Sequence, residues 1–249
     1  MAEAPSYAIL GRGRWAGRIA TILLAESRCV VSIEETRRGA GESELAYKSR
    51  LAESLRASGG QIAWLCVPPG PHIPLMMEAA MDAGRHVVVE KPWRCSRAVT
   101  EALLERAKRT RRLLAVHYEY CLLDKVTTWR KTFSPGAGLR FGGRYFLNRP
   151  DHLGIPATEN LGSHLLSIRA YAAPQSTVSD LRCGYERPAE RCVWLEKAGT
   201  GIASINLLEN QEPIIQRFIA RVERALDGAE FTFGLEFALG VADEVAALP

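Results

Sequence analysis

The first half of the chain alternates short apolar runs with longer stretches of helical spacing. Runs at residues 7–10, 29–33, 61–67, 86–89 and 113–116 are apolar on consecutive positions, which predicts strands buried on both faces. Helical spacing between them predicts helices over 18–26, 44–58, 72–84 and 97–111. Strands alternating with helices predict a parallel, doubly wound sheet. From residue 119 the pattern changes. Helices are predicted over 122–132, 159–172, 212–226 and 235–248, and a strand over 139–147 after a loop at 135–138. Three antiparallel strands are predicted over 177–186, 190–197 and 201–208, the last two joined by a hairpin at 196–201. The predicted fold class is α/β: a parallel-sheet domain over 1–118, then a smaller α+β domain with an antiparallel sheet over 119–249.

Composition narrows the function classes. The chain has 249 residues, 47% hydrophobic and 24% charged, which is ordinary for a soluble protein. A net charge of +4, spread along the chain, is too weak to argue for nucleic acid. No run reaches the roughly 18 apolar residues of a membrane span. The six cysteines form no CxxC pair, and Cys29 and Cys66 lie in strand-like runs. They read as small buried hydrophobes in a reducing compartment, so a cytoplasmic protein is expected, with no metal and no disulfide framework.

Candidate chemistry begins at the first turn. After residues 7–10 comes Gly11-Arg12-Gly13-Arg14-Trp15-Ala16-Gly17, a G-x-G-x-x-A turn between strand and helix. Gly11 permits the tight turn, Gly13 lets backbone approach a pyrophosphate, and small Ala16 lets the helix pack close. The helix N-terminus then offers free N–H groups to phosphate. Glu34 follows at the end of the second run, where an acid can bind ribose hydroxyls and repel a 2′-phosphate. Arg37 and Arg38 would instead accept that phosphate, so NAD is favoured only slightly over NADP. The fourth run, Val87-Val88-Val89, ends in Glu90-Lys91-Pro92. A lysine where a buried parallel strand runs out sits in the crevice where open α/β sheets bind ligands.

These motifs carry a resemblance. The turn at 11–17, Val67-Pro68-Pro69-Gly70-Pro71-His72, Glu90-Lys91-Pro92 and Asn160-Leu161-Gly162-Ser163-His164 stand in the order seen in the Gfo/Idh/MocA family of NAD(P)-dependent oxidoreductases. The closing helices are similar too, so the resemblance spans nearly the whole chain. It implies a Rossmann domain in which Arg14, Trp15, Val67, Pro68, His72 and Glu90 join Gly11, Gly13, Ala16, Glu34 and Arg37 around the dinucleotide. It implies that Lys91 exchanges a proton with the reacting oxygen, with His164 as second proton carrier across a shared cleft. Asn160 and His164, four apart on one helix, are expected to share a face.

There are departures. Asn160 stands where the family has Asp, and an amide can orient a hydroxyl but cannot titrate. Ser167 stands where many members have a further Asp. The second domain is short, with about four strands expected in its sheet. The function expected is hydride transfer between the nicotinamide and a carbinol, carbonyl or imine carbon of a small polar or sugar-like substrate. The alternative is a non-catalytic dinucleotide-binding sensor or assembly subunit. A small-molecule substrate and a homo-oligomer, dimer or tetramer, are the expected partners, without nucleic acid or membrane. Trp93, Tyr118, Trp129, Tyr145 and His152 are candidates for the pocket wall, and His117 fits a surface or core position equally well.

Overall fold

A continuous apolar run has no polar face to show to water, so such strands must lie in the middle of a covered sheet. The computed structural model describes residues 4–133, 138–148, 154–197 and 201–248, and it bears this out. In chain order the first unit has β1 (Tyr7–Leu10), α1 (Arg14–Ala25), β2 (Val30–Ile33), α2 (Glu44–Ser58), β3 (Ile62–Leu65), α3 (Ile73–Asp82), β4 (His86–Glu90), α4 (Arg97–Thr110) and β5 (Leu114–His117). The five strands are all parallel, in the order β2-β1-β3-β4-β5. Every residue of β1, β3 and β5 is buried, while the edge strand β2 is half exposed. The helices start where serine can cap them: Ser43 accepts from the Ala46 N–H at 3.1 Å, and Ser96 from Val99 at 3.4 Å.

Strand order reverses between β1 and β3, and an open α/β sheet binds its ligand at such a switch. Leu10 pairs with Leu65 in register, so Gly11 and Cys66 leave the sheet side by side. Gly11 has φ +126°, and a Cβ there would lie 2.5 Å from the Cys66 carbonyl oxygen. Only glycine fits this turn. Helix α1 begins at Arg14, inside the glycine turn, four residues before the position predicted from apolar spacing. Cys29 is exposed just before the edge strand, not buried as expected; none of the six cysteines is in a disulfide.

The chain divides into two compact units, Met1–His117 with Ile219–Leu239, and Tyr118–Phe218 with Gly240–Pro249. Residues 219–239 thus belong with the parallel sheet and not, as the sequence suggested, with everything after 118. The reason is a set of specific contacts. Glu223 accepts from the Tyr7 hydroxyl at 2.9 Å and from Arg28 at 2.7 and 3.0 Å. The Val116 N–H donates to the Phe233 carbonyl at 2.8 Å.

The second unit starts with a 3-10 turn (Glu119–Leu122) and α5 (Asp124–Thr132), where one helix was expected. There follow β6 (Leu139–Asn148), α6 (Ala157–Asn160), α7 (Gly162–Ala172), β7 (Thr177–Gly184), β8 (Glu186–Lys197) and β9 (Gly201–Asn206). The chain closes with α8 (Ile214–Leu226) and α9 (Leu235–Ala246). The sheet order is β7-β6-β8-β9. It is mixed: β6 and β7 are parallel, whereas β6–β8 and β8–β9 are antiparallel. β7 therefore does not pair with β8, because the intervening helices return the chain to the starting end of β6, as in any crossover connection. Adjacent Gly142 and Gly143 let both faces of β6 be approached closely, by the Trp194 indole on one side and Leu165 of α7 on the other. The expected loop at 135–138, for all but Gly138, the break at Arg149-Pro150 and the tip of the hairpin at 198–200 lie outside the described residues. Among the described residues no helix is long and apolar enough to cross a membrane.

Candidate functional site

In the first unit a cleft of about 640 Å³ opens at the β1/β3 switch. That volume suits a small-molecule site, which typically spans roughly 300–1,000 Å³. Of the residues singled out by sequence, Gly11, Gly13, Glu34, Arg37, Val67 and Pro68 line it. Arg14, Trp15, Ala16, His72, Glu90 and Lys91 do not. Three features fit the phosphate and ribose end of a dinucleotide. A Cβ on Gly13 would meet nothing within 4 Å, so the backbone there faces open space. Gly13 is also the N-cap of α1 and brings no side chain to the first-turn N–H groups, which leaves them available to an anion. Glu34 stands at the far side of the same cleft. Ala16 is buried at 3% exposure, as its packing role requires.

The basic residues around Glu34 are not equally free. Arg50 is held by Glu42, Nε to Oε1 at 2.9 Å and an Nη to Oε2 at 3.0 Å. The Arg50 hydrogen bonds, with the Gly39 N–H, pull the Glu42 carboxyl down to about 2. Arg38 donates to the Glu42 carbonyl at 2.5 Å and reaches Glu44 at 3.4 Å. Arg37 lines the cleft with Glu34 and Glu35.

A second cluster lies beneath the end of β4. Glu90 pairs across the sheet with His117 of β5. Its carboxylate accepts from Trp64 Nε1 at 2.8 Å and lies 3.2 Å from His117 Nδ1. His117 is fully buried, edge-on to Trp64 at 5.1 Å and beside Trp15 at 5.9 Å between ring centres. Burial alone would push Glu90 up, but His117 and the indoles together hold its carboxyl below the usual range. The Trp15 N–H adds to this pull although it does not reach full hydrogen-bond geometry. Glu90 thus anchors the turn that carries half-buried Lys91. Burial and the Glu90 charge push the Cys66 thiol well up, so it is an inert neighbour. His72 is lowered by burial, opposed by a hydrogen bond to the Pro68 carbonyl, and so braces the proline turn.

The second unit places His164 on α7, 7% exposed. Its ring stacks on Tyr145 at 5.1 Å and 9°, and meets Tyr120 edge-on at 5.0 Å. Arg191 of β8, the cross-strand partner of Tyr145, lays its guanidinium 5.0 Å from the Tyr145 ring centre. Asn160 ends α6, and Leu161 separates that helix from α7, so the expected single helix is broken between Asn160 and His164. The Asn160 amide donates to the Tyr185 hydroxyl at 2.9 Å, which in turn donates to the Ile155 carbonyl. Ser167 is buried, its hydroxyl donating to the His164 carbonyl. Trp64, Tyr120, Tyr185 and Arg191 were not picked out by the sequence motifs. Trp93, Tyr118 and Trp129 are core residues, Trp93 donating to Thr100 at 3.0 Å. His152 lies outside the described residues.

Residues 7–118 match the model of an oxidoreductase family with an NAD-binding Rossmann fold. No protein of curated function matches the sequence. Among solved structures the chain is similar to the UDP-N-acetylglucosamine 3-dehydrogenase GnnA from Acidithiobacillus ferrooxidans, with a TM-score of 0.80 at 15% identity, covering 99% of this chain and 97% of that one. It is similar also to the WlbA dehydrogenase from Bordetella pertussis in complex with NADH and UDP-GlcNAcA, with a TM-score of 0.75 at 16% identity over 98% and 95% of the chains. A 3-ketoreductase from Actinomadura kijaniata, in complex with TDP-benzene and NADP, gives 0.75 at 14% identity over 99% and 97%. At these identities the likeness is one of fold.

Proposed function

We propose, from the match of residues 7–118 to the Gfo/Idh/MocA oxidoreductase family with its NAD-binding Rossmann fold, that the chain is an NAD(P)-dependent dehydrogenase or reductase acting on a sugar-like substrate. The observation that carries this reading is the single cleft that gathers Gly11, Gly13 and Glu34 at the sheet's switch point. Solved structures of similar fold include enzymes named for sugar dehydrogenation and ketoreduction, and this supports the substrate class.

NAD(P), when bound, supplies the hydride chemistry. The protein's residues do the rest. The Gly11–Gly13 backbone and the first turn of α1 hold the pyrophosphate. Glu34 takes the ribose hydroxyls. With Arg38 and Arg50 both engaged by Glu42, the balance around Glu34 favours NAD over NADP. Lys91 exchanges the proton that must match hydride transfer at the reacting oxygen, and Glu90 fixes its turn. His164 is the second proton carrier, and Asn160 orients without titrating. A homo-oligomer is proposed as well, for which the 66%-exposed Ile202 of β9 offers an apolar contact point.

The test is Lys91→Met, with NAD and NADP each screened against aldoses, cyclitols, sugar nucleotides and cyclic imines. The expected result is retained NAD(P)H binding and a turnover drop of about 100- to 10,000-fold, the usual worth of a general acid or base. Unchanged turnover in the variant removes Lys91 from the mechanism. A wild-type protein that binds dinucleotide but turns over nothing in the screen is a sensor or assembly subunit instead.

A further inference from the structure

On the helix-covered face of the second sheet, β8 presents Arg191, Val193 and Leu195 in alternation. Val193 and Leu195 are buried at 0% and 1% exposure, and their partners on β6 are Gly143 and Phe141. Arg191 is the charged member of this apolar row. Arg191 itself is half-buried, and a partly desolvated guanidinium gains from a counter-charge. Among the described residues its side chain contacts neutral groups. One Nη donates to the Tyr120 hydroxyl at a long 3.5 Å, and Cζ lies over the Tyr145 ring. Nε is buried and finds no acceptor among them. Among the described residues no carboxylate is within ion-pair distance of it. Glu119 lies near enough to act on the Tyr145 hydroxyl but does not pair with the arginine.

The surroundings are built to hold it. The Tyr120 and Tyr145 hydroxyls lie 3.5 Å apart, and both rings contact His164. Aromatic faces fix the planar guanidinium without neutralising it. The result is a pre-positioned fork of N–H donors that lacks an anion, next to the histidine assigned a proton-carrying role.

We propose that Arg191 binds an anionic oxygen group, carboxylate or phosphate, of the substrate, so that the enzyme's sugar is an acidic one. The proposal rests on the dehydrogenase reading for calling the ligand a substrate, but not for the binding itself. The experiment therefore measures binding, by calorimetry on the NADH-loaded protein, for glucose, glucose 1-phosphate, UDP-glucose and UDP-glucuronate. UDP-glucuronate over UDP-glucose isolates the carboxylate; glucose 1-phosphate over glucose isolates the phosphate. The wild-type protein is expected to favour one anionic member over its neutral counterpart by about 10- to 100-fold, the range for a hydrogen bond to a charged group. Arg191→Gln is expected to erase that discrimination, and Arg191→Lys to restore part of it. Melting temperature and NADH affinity confirm that each variant is folded. No discrimination in the wild type, or equal discrimination in Arg191→Gln, overturns the proposal. The dehydrogenase reading is judged apart, on the turnover of Lys91→Met.

Discussion

Glu90 shows how one residue joins stability to chemistry. Its carboxylate is buried yet ionised, because His117 and Trp64 give it hydrogen bonds that water no longer can. A carboxylate whose folded pKa is depressed contributes stability above its unfolded pKa, and loses it as pH falls through the folded value. Glu90 starts from an ordinary value of 4.5 and is lowered in the fold. Wild-type stability should therefore decline below about pH 4.5, and Glu90→Gln should flatten that part of a urea-midpoint profile. His117→Ala leaves the carboxylate without its strongest partner. Breaking one side of a buried pair costs about 3–5 kcal/mol. Since the same carboxylate anchors the Lys91 turn, kcat should also fall by about 10- to 100-fold, the effect of a misplaced catalytic group. NADH affinity, read by fluorescence, should hold. A variant as active as wild type would show that Lys91 does not depend on this pair.

At the level of elements, the two glycines of the first turn differ in duty. Gly11 meets the Cys66 carbonyl and has positive φ, whereas Gly13 meets nothing. Gly11→Ala should lower stability by about 2–4 kcal/mol through strain and overlap. Gly13→Val should leave the melting temperature within a few degrees while weakening NADH binding at least tenfold, since its side chain would fill the space offered to phosphate. Equal stability loss in both would mean that the turn is purely structural. The turn was legible in the sequence because its chemistry is local, and so were the five parallel strands, whose apolar runs have no polar face. What stayed hidden is register. Glu90 with His117, and Tyr145 with Arg191, are cross-strand partners, and period-two patterning marks a strand without naming its neighbour. The parallel pairing of β7 with β6 was missed for the same reason. The break at Leu161 had no glycine or proline at that position to announce it.

For the whole molecule, the boundary written in the sequence is a single cut near residue 118, but the compact units are interleaved. Residues 219–239 return to the parallel sheet. Two contacts hold them there, and each satisfies a group that would otherwise be costly. The Tyr7 hydroxyl belongs to a side chain with no exposure and donates to Glu223, with burial and then the Glu223 charge raising its pKa. Glu223 is in turn clamped by both nitrogens of the Arg28 fork. The Phe233 carbonyl takes the Val116 N–H, and the Ala115–Gly234 bridge covers the edge of β5. An uncovered edge strand invites aggregation. A chain ended at residue 118 keeps the family-matching domain yet loses all of these partners, so it should not unfold cooperatively and should associate through β5. In the full chain, Glu223→Leu leaves the buried Tyr7 hydroxyl without its acceptor and Arg28 with Glu26 alone, a loss of about 2–4 kcal/mol. For a chain of this length that is about 5–15 °C in melting temperature. The same variant should still bind NADH, because no residue of the cleft at the β1/β3 switch comes from 219–239. A chain ended at 118 that melts as sharply as the full protein would show that the returning segment is an addition to the sheet and not part of what folds it.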